Sequence, residues 1–210
     1  IKNKNLIPEL ADELWGLYQF YLSKELYEAD NNHYLDTYLF RSIIFLGLRH
    51  GYFSEVKQII DKFSTKLHPE DTFNLKNLGY AYFYFYTGEL KKSMEFANKV
   101  KLNDYVFKYD IKNLFVKLYF EDGSFDQLTS TIKCYREFLR NDKLLNQEIK
   151  SSFKHYIHFT EQLLKQMDHA DKIELNYTLD KLQKTSNVYA KDWLEKMYKS
   201  VIRKSAYVLS

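Results

Sequence analysis

The chain has 210 residues, of which 45% are hydrophobic, 28% charged and 18% aromatic, with a formal net charge of +3. This composition excludes intrinsic disorder, and the near balance of charge does not by itself indicate a nucleic-acid-binding protein. Six glycines and two prolines are too few for a collagen-like chain or for an all-β sandwich or barrel with its many turns.

Apolar residues recur every three or four positions along the chain, which is the period of an α-helix. Breaks at Gly, Pro, Asn and Asp divide this pattern into about ten helices, and we find no segment with the pattern of a strand. The predicted helices cover 8–28, 33–50, 53–67, 70–87, 89–102, 104–122, 125–141, 146–167, 171–185 and 188–208. The expected fold is therefore all-α.

The single cysteine and the absence of long apolar runs bear on the expected location of the protein. Cys134 excludes an intramolecular disulfide, which fits a reducing compartment, and we expect a cytoplasmic protein. It stands beside Ile132 and Tyr135 in a predicted helix, where we expect a buried thiol. No run of about 18 apolar residues occurs, so no membrane insertion is expected. Because the chain begins with Ile1, we expect it to be part of a longer protein.

Three glycines at intervals of 37 and 35 residues, Gly51, Gly88 and Gly123, mark an internal repeat. Positions 2, 5, 9 and 12 after each glycine are apolar or aromatic in eleven of twelve cases, a spacing that places them on one helix face. These positions hold Phe53, Val56, Ile60 and Phe63, then Leu90, Ser93, Ala97 and Val100, then Phe125, Leu128, Ile132 and Tyr135. A glycine turn beside a shared apolar face predicts stacked antiparallel helix pairs.

The segment Asn77-Leu78-Gly79, with Tyr82 and the later Gly88-Glu89-Leu90 and Ala97, resembles the tetratricopeptide repeat. The resemblance covers about residues 33–142. It implies antiparallel helix pairs stacked into a right-handed superhelix.

We predict a single helical-repeat domain over residues 1–210. Within it, 1–32 form an N-terminal capping helix, 33–142 form three helix pairs, and 143–210 form the C-terminal helices and cap. One helix pair cannot bury its apolar face alone, so neighbouring pairs are expected to share a continuous core.

The same resemblance predicts a binding groove. In this family the first helices of successive pairs line the concave surface, and a protein or peptide partner would lie there. The groove-facing residues would be Phe73, Lys76, Tyr80, Phe83 and Tyr84. Tyrosine hydroxyls in such a row hold a peptide at little cost in entropy. The alternative is that the aromatic run 80–86 is a helix buried by neighbours on both sides.

No motif indicates catalysis. The sequence has no nucleophile elbow, phosphate-binding loop or zinc-peptidase signature, so we predict no catalytic residue, no cofactor and no metal. His155, His158 and Glu161 have a helical spacing suited to ligands, but such histidines are more often exposed or structurally bonded. The expected function is a non-catalytic scaffold that binds a protein or peptide.

Two alternatives remain open. One is a peptide-sensing module of a transcription regulator. The other is a helical repeat that binds nucleic acid through the basic half 101–210, which carries 19 basic and 15 acidic residues. It would require the convergence of Lys108, Lys112, Lys117, Lys191, Lys199 and Arg203 on one face. Nucleic acid is the less favoured partner because acidic residues are nearly as frequent and no known module is recognisable.

Overall fold

The computed structural model describes residues 8–29, 33–101, 105–169 and 171–207. These residues form ten α-helices and two short 3₁₀ turns, without a strand among them. The helices are α1 (Pro8–Ser23), α2 (Thr37–His50), α3 (Phe53–Phe63), α4 (Pro69–Tyr86), α5 (Leu90–Lys99), α6 (Tyr105–Asp122), α7 (Phe125–Asn141), α8 (Gln147–His169), α9 (Lys172–Lys184) and α10 (Lys191–Tyr207). The prediction of an all-α fold with about ten helices is confirmed.

The chain divides into two compact units, Ile1–Gly123 and Ser124–Ser210. The first unit contains α1 to α6 and the second contains α7 to α10. The boundary falls at the turn of the third predicted helix pair, so α6 and α7 belong to different units. The single domain over 1–210 and the superhelix stay predictions.

The glycine turns adopt the backbone conformation that the repeat requires. The φ angles of Gly51, Gly88 and Gly123 are +84°, +81° and +76°, in the left-handed region that disfavours any residue with a β-carbon. At the end of α2, the N–H of Gly51 donates to the carbonyls of Gly47 and Leu48. Each glycine therefore ends one helix and directs the chain into the next.

The helix face predicted from these glycines is also found. All nine side chains at positions 5, 9 and 12 after the three glycines are buried. The side chains at position 2 are more accessible to solvent, and Phe125 is 38% exposed. The predicted face is confirmed except at its first position, which lies at the edge of each core.

Helix α4 lies at the centre of the first unit, in contact with α2, α3, α5 and α6. Two glycines allow close approach in this unit. A β-carbon on Gly47 would stand 2.4 Å from Val56 Cγ2, and one on Gly79 would stand 3.1 Å from side-chain carbons of Ile44 and Ile60. Leu46-Gly47 and Leu78-Gly79 thus mark places where another helix packs closely against the backbone.

In the second unit, α8 packs against α7, α9 and α10. Buried polar groups join these helices. The Tyr198 hydroxyl donates to the Phe159 carbonyl at 2.9 Å, and Gln166 Nε2 donates to Thr178 Oγ1 at 2.8 Å. Such hydrogen bonds satisfy polar groups whose burial without a partner would cost free energy.

The expectation for Cys134 is wrong, because its side chain is exposed. In α7 the buried side chains are Leu128, Ile132, Tyr135 and Leu139. Cys134 follows Ile132 by two positions, which is about 200° around the helix, so it lies on the opposite face. Neighbourhood in sequence was a poor guide here, and the helical period would have placed the thiol correctly.

Candidate binding surface

Two faces of α4 carry the aromatic run, and they differ in character. One face looks toward α2 and α6. There Tyr82 is 3% exposed and its ring meets Phe45 of α2 edge-on, with the ring centroids 4.5 Å apart. The Tyr82 hydroxyl donates to the backbone carbonyl of Asp110 in α6 at 2.8 Å. This tyrosine of α4 therefore contacts both α2 and α6. These three are the first helices of the predicted pairs, and we call the region where α4 packs against α2 and α6 the inner row.

An ion pair crosses the inner row from α2 to α6. Arg41 Nε and Nη2 each lie 2.5 Å from a carboxylate oxygen of Asp110, which is 3% exposed. The guanidinium also lies 4.4 Å from the centre of the Phe45 ring. Burial raises the pKa of Asp110, and the charge and hydrogen bonds of Arg41 oppose that rise. The two-pronged geometry is the strongest kind of carboxylate pairing that an arginine forms.

A second charge lies buried in the inner row. Lys117 of α6 is 6% exposed, and its Nζ lies 5.7 Å from the centre of the Phe85 ring. Burial lowers the pKa of Lys117 to about 8, with Glu121 opposing the shift and Arg49 reinforcing it.

Little room remains in the inner row. A cavity of about 10 Å³ lies between α2 and α4, with Arg41 and Phe45 among the residues that line it. A volume of this size is at the lower limit for a single water molecule. The inner row is thus closed by its own side chains.

The opposite face of α4 carries partly exposed rings packed beside α5. The rings of Tyr80 and Tyr84 stack with centroids 6.0 Å apart, and both contact Phe96 of α5, at 5.0 and 5.4 Å. Phe73 lies two helical turns before Tyr80 on the same side of α4 and is 52% exposed. We call Phe73, Tyr80, Tyr84 and Phe96 the outer platform.

The outer platform is tied to α3 as well. The Tyr80 hydroxyl donates to the carboxylate of Asp61, an exposed residue of α3. Partial burial is the larger cause that raises the pKa of Tyr80, and the hydrogen bond to Asp61 raises it further. Three helices therefore hold these rings in fixed positions.

Lysines lie over three of the outer rings. Lys92 Nζ is 5.1 Å from the centre of the Tyr84 ring and Lys99 Nζ is 4.6 Å from that of Phe96. Lys101 Nζ is 5.7 Å from that of Phe73. All three distances are within the range of cation–π attraction. The outer platform thus combines apolar rings with a rim of lysines, of which Lys92 and Lys99 also pair with Glu89 and Glu95.

The structure brings together three of the five residues predicted to line the groove. Tyr80, Phe83 and Tyr84 form one cluster, although Phe83 is only 9% exposed. Phe73 and Lys76 lie on the first half of α4, and Lys76 is partly exposed. The contacts of Tyr80 and Tyr84 are with the second helices α3 and α5, whereas Tyr82 faces the first helices.

Sequence reasoning missed Phe96 and its lysines. Phe96 follows Lys92 by four residues and precedes Lys99 by three, so all three share one side of α5. That spacing was available in the sequence. The predicted groove residues all lie on the first helix of the pair, whereas Phe96 and these lysines lie on the second.

Two of the six basic residues that nucleic-acid binding would require have other roles in the structure. Lys117 is buried and offers no exposed charge to a phosphate. Lys191 Nζ donates to the carbonyls of Gln183 and Thr185, where it caps the end of α9. Lys117 and Lys191 also belong to different units.

The described residues contain no group of three or more metal-ligating side chains of the kinds His, Cys, Asp and Glu. The predicted candidates are engaged elsewhere. His155 Nδ1 lies 3.1 Å from the Asn187 carbonyl oxygen, and Glu161 accepts a hydrogen bond from Arg136 at 2.9 Å.

Comparisons with known proteins add no relative: no protein-family profile, curated protein or solved structure matches this chain. Among the helices described, none has the length and apolar character needed to cross a bilayer. The class that the fold defines is therefore an all-α protein of ten described helices.

Proposed function

We propose that this chain is a non-catalytic binding module that receives a protein or peptide segment on the outer platform. The observation that carries the proposal is the packing of Tyr80, Tyr84 and Phe96 into one partly exposed cluster held by three helices. Rigid aromatic rings offer contact area at a low cost in conformational entropy. The closed inner row favours this face over the groove expected along the first helices.

The proposal includes a helical-repeat architecture similar to the tetratricopeptide type. Its support is the repeated left-handed glycine turn and the packing of α4 against both α2 and α6. In such an arrangement each helix pair adds surface to its neighbours, so a binding face extends over several helices.

The test begins with a displayed library of random dodecapeptides, selected on the whole chain. Affinities of the enriched peptides are then measured by fluorescence anisotropy for Phe73→Ser and for the double variant Tyr84→Ser/Phe96→Ser. We expect each change to weaken binding by about tenfold or more, because buried aromatic anchors dominate such interfaces. The control is Tyr177→Ser, which removes a tyrosine that is 70% exposed in the second unit.

Circular dichroism and thermal melting separate binding from folding. Phe73 is more than half exposed, so Phe73→Ser should leave the helix content and the melting temperature unchanged. If the enriched peptides bind this variant and the double variant as tightly as the wild type, the outer platform is not the binding surface.

A further inference from the structure

The lysines around the outer platform point to the chemistry of its partner. Three of its four rings each have an ammonium group within 5.7 Å, and these come from Lys92, Lys99 and Lys101. The lysines lie along one edge, formed by α5 and the residues that follow it. On the opposite edge, Asp61 already accepts the hydrogen bond of Tyr80.

In the described residues, the ion pairs of two of these lysines are with exposed glutamates at most four residues away. Lys92 lies 2.5 Å from Glu89, and Lys99 lies 2.6 Å from Glu95. Exposed pairs of this kind contribute little to stability and exchange readily for another carboxylate. For Lys101 the described residues provide a ring contact and no ion pair. A carboxylate that approaches this edge therefore meets cations that are easily recruited.

The spacing of the cations suits an extended chain. Lys92 and Lys99 are seven residues apart, which corresponds to about 10.5 Å along a helix. Two carboxylates four residues apart lie on one face of an extended peptide, about 13 Å apart, and the long, flexible lysine side chains can span the difference. Phe96 lies between the two lysines on the same side of α5, where it can receive an apolar side chain placed between those carboxylates.

We propose that the occupant of the outer platform is an extended acidic peptide segment, whose carboxylates pair with Lys92, Lys99 and Lys101 while its apolar side chains cover the rings. This inference rests on the proposed function and specifies the partner. A basic segment is disfavoured because it would bring like charges against the lysine edge.

Single-stranded nucleic acid is the competing class of ligand, and the ring geometry disfavours it. Base stacking requires open ring faces. Tyr80, Tyr84 and Phe96 stack on one another, and Lys92 and Lys99 lie over the rings of Tyr84 and Phe96. Phe73 alone among the four is more than half exposed, which is too little for a run of stacked bases.

The experiment uses the dodecapeptides enriched on the whole chain and the triple variant Lys92→Gln/Lys99→Gln/Lys101→Gln. Glutamine keeps much of the side-chain length and the helix propensity while removing the charge. The matched control is Lys133→Gln/Lys154→Gln/Lys184→Gln, three exposed lysines of the second unit. A parallel titration uses a labelled thymidine dodecanucleotide as the nucleic-acid probe.

We expect the enriched peptides to be rich in Asp and Glu, and the triple variant to bind them about tenfold more weakly than the control does. Replacing the peptide's acidic residues by their amides should cause a similar loss, with no further loss in the triple variant. Raising the salt from about 50 to about 300 mM should weaken binding to the wild type more than to the triple variant.

The results separate the two proposals. If ring-dependent peptides are not acidic, or bind the triple variant and the control equally, the acidic partner is refuted and the proposed function stands. If no enriched peptide depends on the rings, the proposed function fails and the acidic partner with it. If the oligonucleotide binds more tightly than the peptides and loses affinity in the triple variant, the occupant is nucleic acid.

Discussion

Two faces of one helix give α4 two different environments. On the inner row, Tyr82 is 3% exposed and its hydroxyl is bonded to a backbone carbonyl of α6. On the outer platform, Tyr80 and Tyr84 are only partly buried, and the Tyr80 hydroxyl is bonded to the exposed carboxylate of Asp61. Tyrosine thus packs in the core on one side of α4 and forms part of the exposed surface on the other.

The charges differ in the same way. The inner row pairs the partly buried Arg41 with the buried Asp110 and encloses Lys117, where separation of a charge from its partner is costly. The outer platform keeps Lys92 and Lys99 in solvent, in pairs that solvent screens. An aromatic helix is therefore not a binding surface on every side, and the burial of charges on the neighbouring helices indicates which side is structural.

The strongest test of the inner row is Arg41→Ala. This change leaves the carboxylate of Asp110 buried without its two-pronged partner. We expect a loss of about 3 to 5 kcal/mol in the free energy of unfolding, measured in urea at neutral pH. The contrasting change on the outer platform, Lys92→Ala, should leave the urea midpoint unchanged.

The pH dependence of Arg41→Ala has a definite sign. Burial already holds the folded-state pKa of Asp110 above its ordinary value, and loss of Arg41 raises it further. A carboxyl whose pKa is higher in the folded protein lowers the free energy of unfolding as the pH rises from its pKa in the unfolded chain to its pKa in the folded protein. The loss in the free energy of unfolding caused by Arg41→Ala should therefore be smaller at acidic pH. It should also be smaller in the double variant Arg41→Ala/Asp110→Asn, which has no carboxylate at position 110. A deficit that is constant with pH would show that Arg41 acts through packing alone.

The next test concerns the close approach at Gly79. In Gly79→Leu the new side chain would meet Ile44 and Ile60, whose carbons already lie 3.1 Å from the position of a β-carbon. We expect a loss of about 1 to 3 kcal/mol, since overpacking outweighs the gain in helix propensity. Gly16→Leu is the matched control, because no heavy atom lies within 4 Å of a β-carbon there. Equal urea midpoints for the two variants would contradict the packing described for α4.

An effect of similar size and opposite sign is expected from Lys117→Met. The folded-state pKa of Lys117 is about 8, below that of an unfolded chain, so the unfolded chain holds more protons between about pH 8 and 10. Stability should therefore rise with pH in that interval for the wild type and stay level for the variant. At neutral pH the variant should be more stable by on the order of 1 to 3 kcal/mol.

The measurement for Lys117→Met is a series of urea unfolding curves from neutral pH to about pH 9.5. Higher pH is avoided because burial raises the pKa values of Tyr80 and Tyr198, and their ionisation on unfolding lowers stability there. The same slope in wild type and variant would show that Lys117 is not the group responsible.

Much of the fold could be predicted because helices depend on local periodicity. The three glycine turns and the positions five, nine and twelve residues later were found from spacing alone. Helix ends were predicted less well where a 3₁₀ turn follows, as at Leu26–Ala29 and Ser64–Lys66. The division into two units at Gly123 was not foreseen, because it depends on contacts between distant residues.

The site was harder to predict than the fold. Tyr80, Tyr82 and Tyr84 are nearly equivalent in the sequence, since every face of that segment is aromatic. What separates them is the partner that each face meets, namely Asp110 for Tyr82 and Asp61 for Tyr80. Those partners lie 28 and 19 residues away, beyond any pattern of helical spacing.

The smallest expected effect compares the two tyrosine hydroxyls directly. Tyr82→Phe removes a buried hydrogen bond of 2.8 Å to the Asp110 carbonyl, and we expect a loss of about 1 kcal/mol in the free energy of unfolding. Tyr80→Phe removes a bond to the exposed carboxylate of Asp61, which water can replace, so its loss should be below about 0.5 kcal/mol. Peptide affinity should fall in Tyr80→Phe, which alters the outer platform, and should be unchanged in Tyr82→Phe. Equal losses in urea unfolding would mean that the two faces of α4 do not differ in the way their hydroxyls are satisfied.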